Sequence, residues 1–390
     1  MKMIKHLNVF CQGRKMGTMA LYKERFAAFE YDKEWLIDGF AISPFSLPLE
    51  QKVFIPKIDP FEGIFGVFAD SLPDGWGRLL VDRLMLKNHV DPKTLGNLER
   101  LAIVGATGMG ALSYEPDYHF ENTAVCQDLD KMAQECAKIL KKQPSDHLDD
   151  LFMMGGSSGG ARPKIFTQVD GEEWIIKFPS RMDDPEMGKQ EYDYSLCAKQ
   201  CGIEMTATRL FPSKQCAGYF GTKRFDRAAA SETDEGIQRI HMISVSGLLE
   251  TSHRVPNLDY SILMRLTLEL TKDFEEIEKL FRLMCFNIFA HNRDDHSRNF
   301  SFLYSKEEDR WRLAPAYDLT YSSSVGGEHA TTVYGNGVNP GMGEILAIAG
   351  EIGIKKTRAK IIANDIRECV EAHLRKYLAN TSGTPQNYIV

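Results

Sequence analysis

From Phe274 to Ala290 the chain carries Ile277, Leu280, Phe281, Leu283, Met284, Phe286, Ile288 and Phe289 on a helical period, and the polar run His291-Asn-Arg-Asp-Asp-His-Ser-Arg-Asn299 follows at once. A helix apolar over so wide a face has to be buried, so the polar loop hangs from a rigid element. Phe300-Ser-Phe-Leu-Tyr304 then alternates as a strand does, and Trp311-Arg-Leu313 reads as its return. A short hairpin there would carry Asp318 back toward Asp294 and Asn299.

Upstream, the pattern is that of strands. Leu7-Asn-Val-Phe-Cys11, Gly17-Thr-Met-Ala-Leu-Tyr22 and Phe26-Ala-Ala-Phe-Glu-Tyr31 alternate with turn residues, which predicts a small antiparallel sheet. Leu79, Leu80, Leu84 and Leu86 recur among charges from Trp76 to Lys87, predicting a helix capped by Asp74. The acidic stretch 116–150, with one amphipathic run from Asp128 to Leu140, reads as a connecting segment. Further strands are expected at Lys164-Ile-Phe-Thr167, Glu173-Trp-Ile-Ile-Lys-Phe178, Arg209 to Phe211 and Gly218 to Phe225, with a helix from Met187 to Gln200 among them. Ile345 to Ile352 and Ala359 to Leu378 read as helices, and 379–390 as a loose polar end. No internal repeat or low-complexity block is present.

These patterns divide the chain into a β-rich subdomain (1–115), the connecting segment (116–150), a strand-rich lobe (151–255) and a mostly helical lobe (256–390). The formal charge of −7 argues against broad attraction to nucleic acid or membrane, and no apolar run approaches the roughly 20 residues that span a bilayer. Eight cysteines (Cys11, Cys126, Cys136, Cys197, Cys201, Cys216, Cys285, Cys369) include no CxxC pair, and no secretion segment precedes them, so a reducing cytoplasm is expected. Cys197 and Cys201 lie four apart on a predicted helix. Zinc would need further ligands, so buried packing is the expected role of this pair.

Asp294 and Asn299 have the spacing Asp-x-x-x-x-Asn, which in phosphoryl transfer sets a carboxylate beside the attacking hydroxyl and a side-chain amide on Mg²⁺. A second metal carboxylate is then required, and Asp318 is the candidate. The plain alternative is a solvated loop with capping aspartates, and Asp295 fits that role. His296 either braces the loop or meets phosphate. Met154-Gly-Gly-Ser-Ser-Gly-Gly-Ala-Arg-Pro-Lys164 matches neither the Walker loop nor the kinase glycine motif. Gly156, Ser157, Ser158, Gly159, Gly160 and Ala161 nonetheless offer backbone N–H groups to phosphate, with Arg162 and Lys164 adding positive charge. By itself such a stretch is more often a flexible turn. Lys177 closes a strand as a phosphate-binding lysine does, and Glu191 on the next helix is its expected partner. Lys223-Arg-Phe225 stands where a kinase chain passes between lobes, so the Lys223 and Phe225 backbone is the adenine candidate.

Taken together, these motifs resemble those of the HipA-type serine/threonine kinases, the toxin components of bacterial type II toxin-antitoxin modules. The N-terminal part of the resemblance rests on Met16-Gly-Thr18, Ser46-Leu-Pro-Leu49, Phe68-Ala-Asp-Ser-Leu-Pro-Asp-Gly75 and Gly108-Met-Gly-Ala-Leu-Ser113. The core part rests on Ser157-Ser-Gly-Gly-Ala-Arg-Pro-Lys164, Ile176-Lys-Phe-Pro179, Lys223-Arg-Phe-Asp-Arg227, Asp294-Asp-His-Ser-Arg-Asn-Phe-Ser301 and Ala316-Tyr-Asp318. The resemblance implies a two-lobed, protein-kinase-like α+β fold with a small β-rich N-terminal subdomain and a mostly helical C-terminal lobe. It also implies ATP with Mg²⁺ and phosphorylation of protein serine or threonine. By the same resemblance Asp294 is catalytic, Asn299 and Asp318 hold metal, Lys177 holds phosphate, and Ser157 is autophosphorylated.

Known relatives target an aminoacyl-tRNA synthetase and pair with a HipB-like helix-turn-helix antitoxin, through which alone operator DNA is expected to be reached. This sequence departs from the pattern at Arg162-Pro163, where some relatives carry Gln-Glu. Ser158 beside Ser157 is a second candidate for modification, and Leu319-Thr320 follows Asp318 in place of Phe-Gly. Small-molecule phosphotransferases share the Asp-x-x-x-x-Asn loop, and an inactive kinase-like corepressor partner is a third reading.

Overall fold

The structure, a computed structural model, describes residues 4–118, 128–180, 183–228 and 238–379. Cys126, with the rest of 119–127, and the polar end from 380 onward lie outside the described residues. The chain forms two compact units: 1–188 with 209–252 and 301–310, and 189–208 with 253–300 and 311–390.

In the first unit, His6–Cys11, Arg14–Tyr22, Phe26–Tyr31 and Leu112–Glu115 build an antiparallel sheet with the opening strand paired to both the second and the last. Alternate residues Leu7, Val9 and Cys11 turn inward, as the period of two requires. A second sheet runs in the order Lys164–Val169, Glu172–Lys177, Tyr219–Lys223, Thr208–Phe211, antiparallel through its first three strands. Its inner face, with Ile165, Trp174, Ile176 and Phe178, shares one core with Trp76, Leu80 and Leu84 of helix Gly75–Lys87. Met132, Cys136 and Ile139 of Leu129–Leu140, and Leu151 and Phe152 of Leu148–Gly155, complete that core. Helix Gly75–Lys87 begins at Asp74, whose carboxylate accepts from the Gly75 N–H. A third pairing, His241–Ser244 against Ser301–Ser305, sets Tyr304 against Phe40 with the rings stacked 3.8 Å apart.

The second unit is mainly helical: Tyr260–Thr271, Phe274–Phe289, Met342–Glu351 and Lys356–Leu378. Asp259 and Asp273 cap the first two of these by accepting from the N–H groups of Ser261 and Glu275. Ile277, Leu280, Phe281 and Met284 are fully buried, and their helix packs against Tyr260–Thr271 and Lys356–Leu378, in which Leu263, Ile362 and Ile366 are buried too. Helix Met187–Gln200, from Lys189 onward, joins this unit: the Tyr194 hydroxyl donates to the Ala290 carbonyl (2.8 Å), and Asp193 accepts from Lys376 and Tyr377. Among the described residues no helix is long and apolar enough to cross a membrane.

Candidate functional site

The polar loop of the second unit is held by a chain of buried hydrogen bonds. The Asn292 amide donates to Asn287 Oδ1 (2.9 Å), Asn287 donates to the Tyr260 hydroxyl (2.9 Å), and that hydroxyl donates to Asp295 Oδ2 (2.9 Å). His329 Nδ1 reaches the same oxygen at 3.0 Å, and the Thr331 N–H donates to Asp295 Oδ1. Burial pushes the Tyr260 hydroxyl well above its ordinary pKa. Asp295 is 1% exposed and both its carboxylate oxygens accept hydrogen bonds from the scaffold, so it organises the loop.

Its neighbour is placed in the opposite way. The Asp294 side chain is 64% exposed. The Asn299 amide nitrogen donates to the Asp294 carbonyl at 2.6 Å, which leaves the amide oxygen as the end available to a cation. His296 caps the turn Ser297–Asn299, its Nδ1 accepting from the Arg298 N–H at 3.3 Å while Nε2 stands 3.8 Å from Asp294 Oδ1. In this conformation the imidazole braces the loop.

The segment carrying Asp318 is fastened to that loop at two points. The Tyr317 hydroxyl donates to the Arg298 carbonyl (2.7 Å), linking the residue before Asp318 to the residue before Asn299, and the Ser322 N–H donates to the His291 carbonyl (3.0 Å). Asp318 (φ +54°) and His291 (φ +51°) both adopt the left-handed region, which costs free energy and clusters at functional sites. Buried side-chain atoms without a hydrogen-bond partner gather in these same segments, namely His291 Nδ1, Asn292 Oδ1, Arg293 Nε, Ser297 Oγ and Thr320 Oγ1. Burial, and then Arg293, push the His291 pKa below its usual value. An exposed carboxylate, an amide oxygen and a second carboxylate are hard oxygen donors of the kind that suit Mg²⁺, which keeps several of its own waters.

The glycine-rich loop lies in the first unit. Gly155, expected in the loop, closes helix Leu148–Gly155, because Leu148, Leu151 and Phe152 extend a buried helical face up to it. The loop proper starts at Gly156. Ser157 Oγ donates to the Thr107 carbonyl (2.9 Å) and Ser158 Oγ to the Gly155 carbonyl (2.6 Å), both hydroxyls being buried. Gly160 has φ +81°, and its carbonyl accepts from the Trp76 N–H at 2.8 Å. A Cβ on Gly75 would lie 2.2 Å from the Gly160 oxygen, and one on Gly77 2.2 Å from the Ser158 oxygen. The start of helix Gly75–Lys87 is therefore pressed directly on the loop backbone.

Around Gly159 there is open space, and beyond Ala161 the Arg162 guanidinium pairs with Asp183 at 3.1 Å. Lys164 and Lys177 are direct cross-strand partners, the Lys177 ammonium lying 5.5 Å from the Phe220 ring centroid. Glu191 is buried on helix Met187–Gln200. The Lys223 ammonium is engaged by Glu172 beside Phe225.

Sequence reasoning passed over what lies between Lys223 and Arg227. The Asp226 carboxylate is fully buried, bridges Arg224 and Arg227, and accepts from the Gly110 N–H at 2.6 Å. The Arg224, Arg227 and Arg239 guanidinium groups also donate to the Gly108 carbonyl, at 3.2, 3.1 and 3.4 Å. Burial raises the Asp226 pKa, but Arg224 and Arg227 outweigh it and hold the carboxyl below its usual range. Burial also lowers Arg227 to about 10. The clue was the alternation Arg-Phe-Asp-Arg at the end of an apolar strand, since charges there are buried only when paired.

A β-rich part that shares its core with a second sheet, and a helical part built on an Asp-x-x-x-x-Asn loop, define a two-unit α+β protein with a polar centre in each unit. Residues 7–115 match the HipA N-terminal domain and residues 156–374 the HipA-like C-terminal domain, so the chain belongs to the HipA family of toxins. No curated protein matches the sequence. Among solved structures the chain is similar to the HipA, HipB and operator DNA complex of the Shewanella oneidensis MR-1 toxin-antitoxin system. That match has a TM-score of 0.72 and 15% identity, over 97% of this chain and 92% of the other. The Helicobacter pylori proinflammatory kinase CtkA is a weaker likeness, at TM-score 0.36 and 14% identity over 59% of this chain and 97% of that one. The α+β fold expected from the sequence is thus that of HipA.

Proposed function

We propose that this protein is a Mg²⁺- and ATP-dependent serine/threonine kinase that modifies a cellular protein and, at Ser157, itself. The observation that carries this reading is the division of labour between adjacent aspartates: Asp295 is consumed by the scaffold while Asp294 is left exposed beside an oriented Asn299. In the proposed reaction Asp294 orients the acceptor hydroxyl and takes its proton, and Asn299 Oδ1 and Asp318 hold the metal. Mg²⁺, when bound with the nucleotide, neutralises charge on the phosphates. Lys177 and Lys164 attract the phosphate chain, the backbone from Gly156 to Ala161 lines it, and the backbone at Lys223 and Phe225 meets the base.

A dianionic phosphate on Ser157 could not keep the present bond to the Thr107 carbonyl, since acceptor would face acceptor, and the loop would leave its seat. Ser158, buried more deeply, is the second choice. The protein substrate proposed from the family resemblance is an aminoacyl-tRNA synthetase, and the partner a HipB-like helix-turn-helix antitoxin, with operator DNA reached only through it. The proposed location is the cytoplasm. Incubating the full chain with γ-labelled ATP and Mg²⁺ tests the proposal. Label is expected on Ser157 and on added protein, with Asp294→Asn slowing transfer by at least about 10²-fold. Transfer at the wild-type rate in that variant refutes the assignment, and label found on small alcohols alone would make the protein a small-molecule phosphotransferase.

A further inference from the structure

The cysteine pair that the sequence left with half a ligand set gains the other half in the folded chain. Cys197 lies in helix Met187–Gln200 and Cys201 just past its end; Cys369 and His373 sit four apart on helix Lys356–Leu378. Residues four apart on a helix share a face, so each helix offers two donors to the other. Donor atoms of Cys197, Cys369 and His373 all lie within 4.8 Å of one another. Cys201 follows Cys197 by one helical turn, its backbone N–H donating to the Cys197 carbonyl at 2.9 Å, and its sulfur lies outside that 4.8 Å group, so it must swing in to become the fourth donor. The helices are close here: Cys197 Sγ stands 3.8 Å from the Cys369 carbonyl and Cys369 Sγ 4.0 Å from the Cys197 carbonyl.

We propose that Cys197, Cys201, Cys369 and His373 form a zinc site that clasps these two helices. Thiolates at about 2.3 Å and an imidazole at about 2.1 Å from a tetrahedral ion set a sulfur-to-nitrogen edge of about 3.6 Å. Cys369 Sγ and His373 Nδ1 are 3.7 Å apart. Three soft sulfurs with one imidazole select zinc over the hard cation of the phosphate chemistry, and four protein donors leave no open position, which makes the site structural. Burial grades outward from Cys197 and Cys201 through the half-buried Cys369 to the exposed His373, so the ion has a way in.

On binding, the three thiols release three protons to solvent. The His373 ring, whose Nδ1–H now donates to the Cys369 carbonyl (2.8 Å), moves its proton to Nε2 and exchanges that bond for the metal. The ion pair of Asp193 with Lys376 and the hydrogen bond it accepts from the Tyr377 hydroxyl, one turn away, already hold the helices in place. The inference is independent of any kinase activity.

The test uses the full chain, stripped with chelator and titrated with Co²⁺ and then Zn²⁺. One equivalent of Co²⁺ should give the absorption of a tetrahedral thiolate complex, and Zn²⁺ should abolish it. At about 100-fold excess over Kd, Zn²⁺ should raise the melting temperature by about 5 °C. Cys369→Ser should weaken Co²⁺ binding at least about 100-fold. His373→Ala, an exposed change that the fold tolerates, should weaken it at least about 10-fold. Absence of stoichiometric binding, binding unchanged in both variants, or a Cys197–Cys369 disulfide in place of the metal would each overturn the proposal.

Discussion

Replacing Gly77 by alanine tests whether the N-terminal part of the chain positions the glycine-rich loop. The new Cβ would stand 2.2 Å from the Ser158 oxygen and 3.0 Å from the Gly156 oxygen, both backbone atoms that no side-chain rotation can move. Restoring ordinary contact requires the loop to retreat by about 1 Å, and misplacing a positioning element by that amount costs on the order of 10²-fold in rate. Overpacking of this kind costs about 1–3 kcal/mol. Alanine within a helix returns about 1 kcal/mol relative to glycine. Net stability should therefore fall by no more than about 2 kcal/mol while phosphoryl transfer falls about 100-fold. Gly350→Ala is the control: it sits in helix Met342–Glu351 with nothing within 4 Å of its added carbon, and should leave transfer unchanged. The assay is label transfer from γ-labelled ATP, with urea unfolding run in parallel. A Gly77→Ala protein that transfers label within threefold of wild type would refute the coupling.

Asp226→Asn leaves Arg224 and Arg227 buried around a neutral amide and should cost about 3–5 kcal/mol, read from the urea midpoint. His241 is fully buried, donates through Nε2 to the Ile42 carbonyl at 2.9 Å, and has its pKa pushed down by burial from 6.5 to about 4. Between those values the unfolded chain binds a proton that the folded chain does not, so stability should fall as pH drops from about 6.5 to 4, by at most about 3 kcal/mol. His241→Gln should flatten that part of the stability profile; an unaltered slope would rule the group out. Asp295→Ala should lower the melting temperature, because Tyr260 and His329 lose their buried acceptor, whereas Asp294→Asn should leave it within about 1 °C.

Elements whose signal is local were legible in the sequence. The helix expected from Met187 to Gln200 has those bounds, and Asp74 caps the helix that begins at Gly75, because periodicity and capping act within a few residues. The turn that ties Asn299 to Asp294 was likewise local, its amide donating to the Asp294 carbonyl five residues back. Interactions between distant parts of the chain were hidden. Gly75 and Gly77 announce a close approach, yet nothing local says that Ser158 and Gly160 are the partners. Cys197 and Cys369 meet across 172 residues of separation, so the sequence showed the pair Cys197 and Cys201 without Cys369 and His373 beside it. Asp226 lay inside a segment read for its backbone, and only the folded chain reveals Gly108 and Gly110 against it.

The core that joins Trp76, Leu80 and Leu84 to Ile165, Trp174 and Ile176 also governs the order in which the chain can mature on the ribosome. Helix Gly75–Lys87 emerges with its apolar face uncovered; helix Leu148–Gly155, which packs on it, follows about 60 residues later, and the strand that brings Trp174 and Ile176 to the shared core is complete about 90 residues later. At about 5–20 residues per second that interval lasts roughly 5–20 s. The nascent N-terminal part thus waits as an unfinished surface, its Thr107 carbonyl and Trp76 N–H without their partners until Ser157 and Gly160 of the glycine-rich loop have been made.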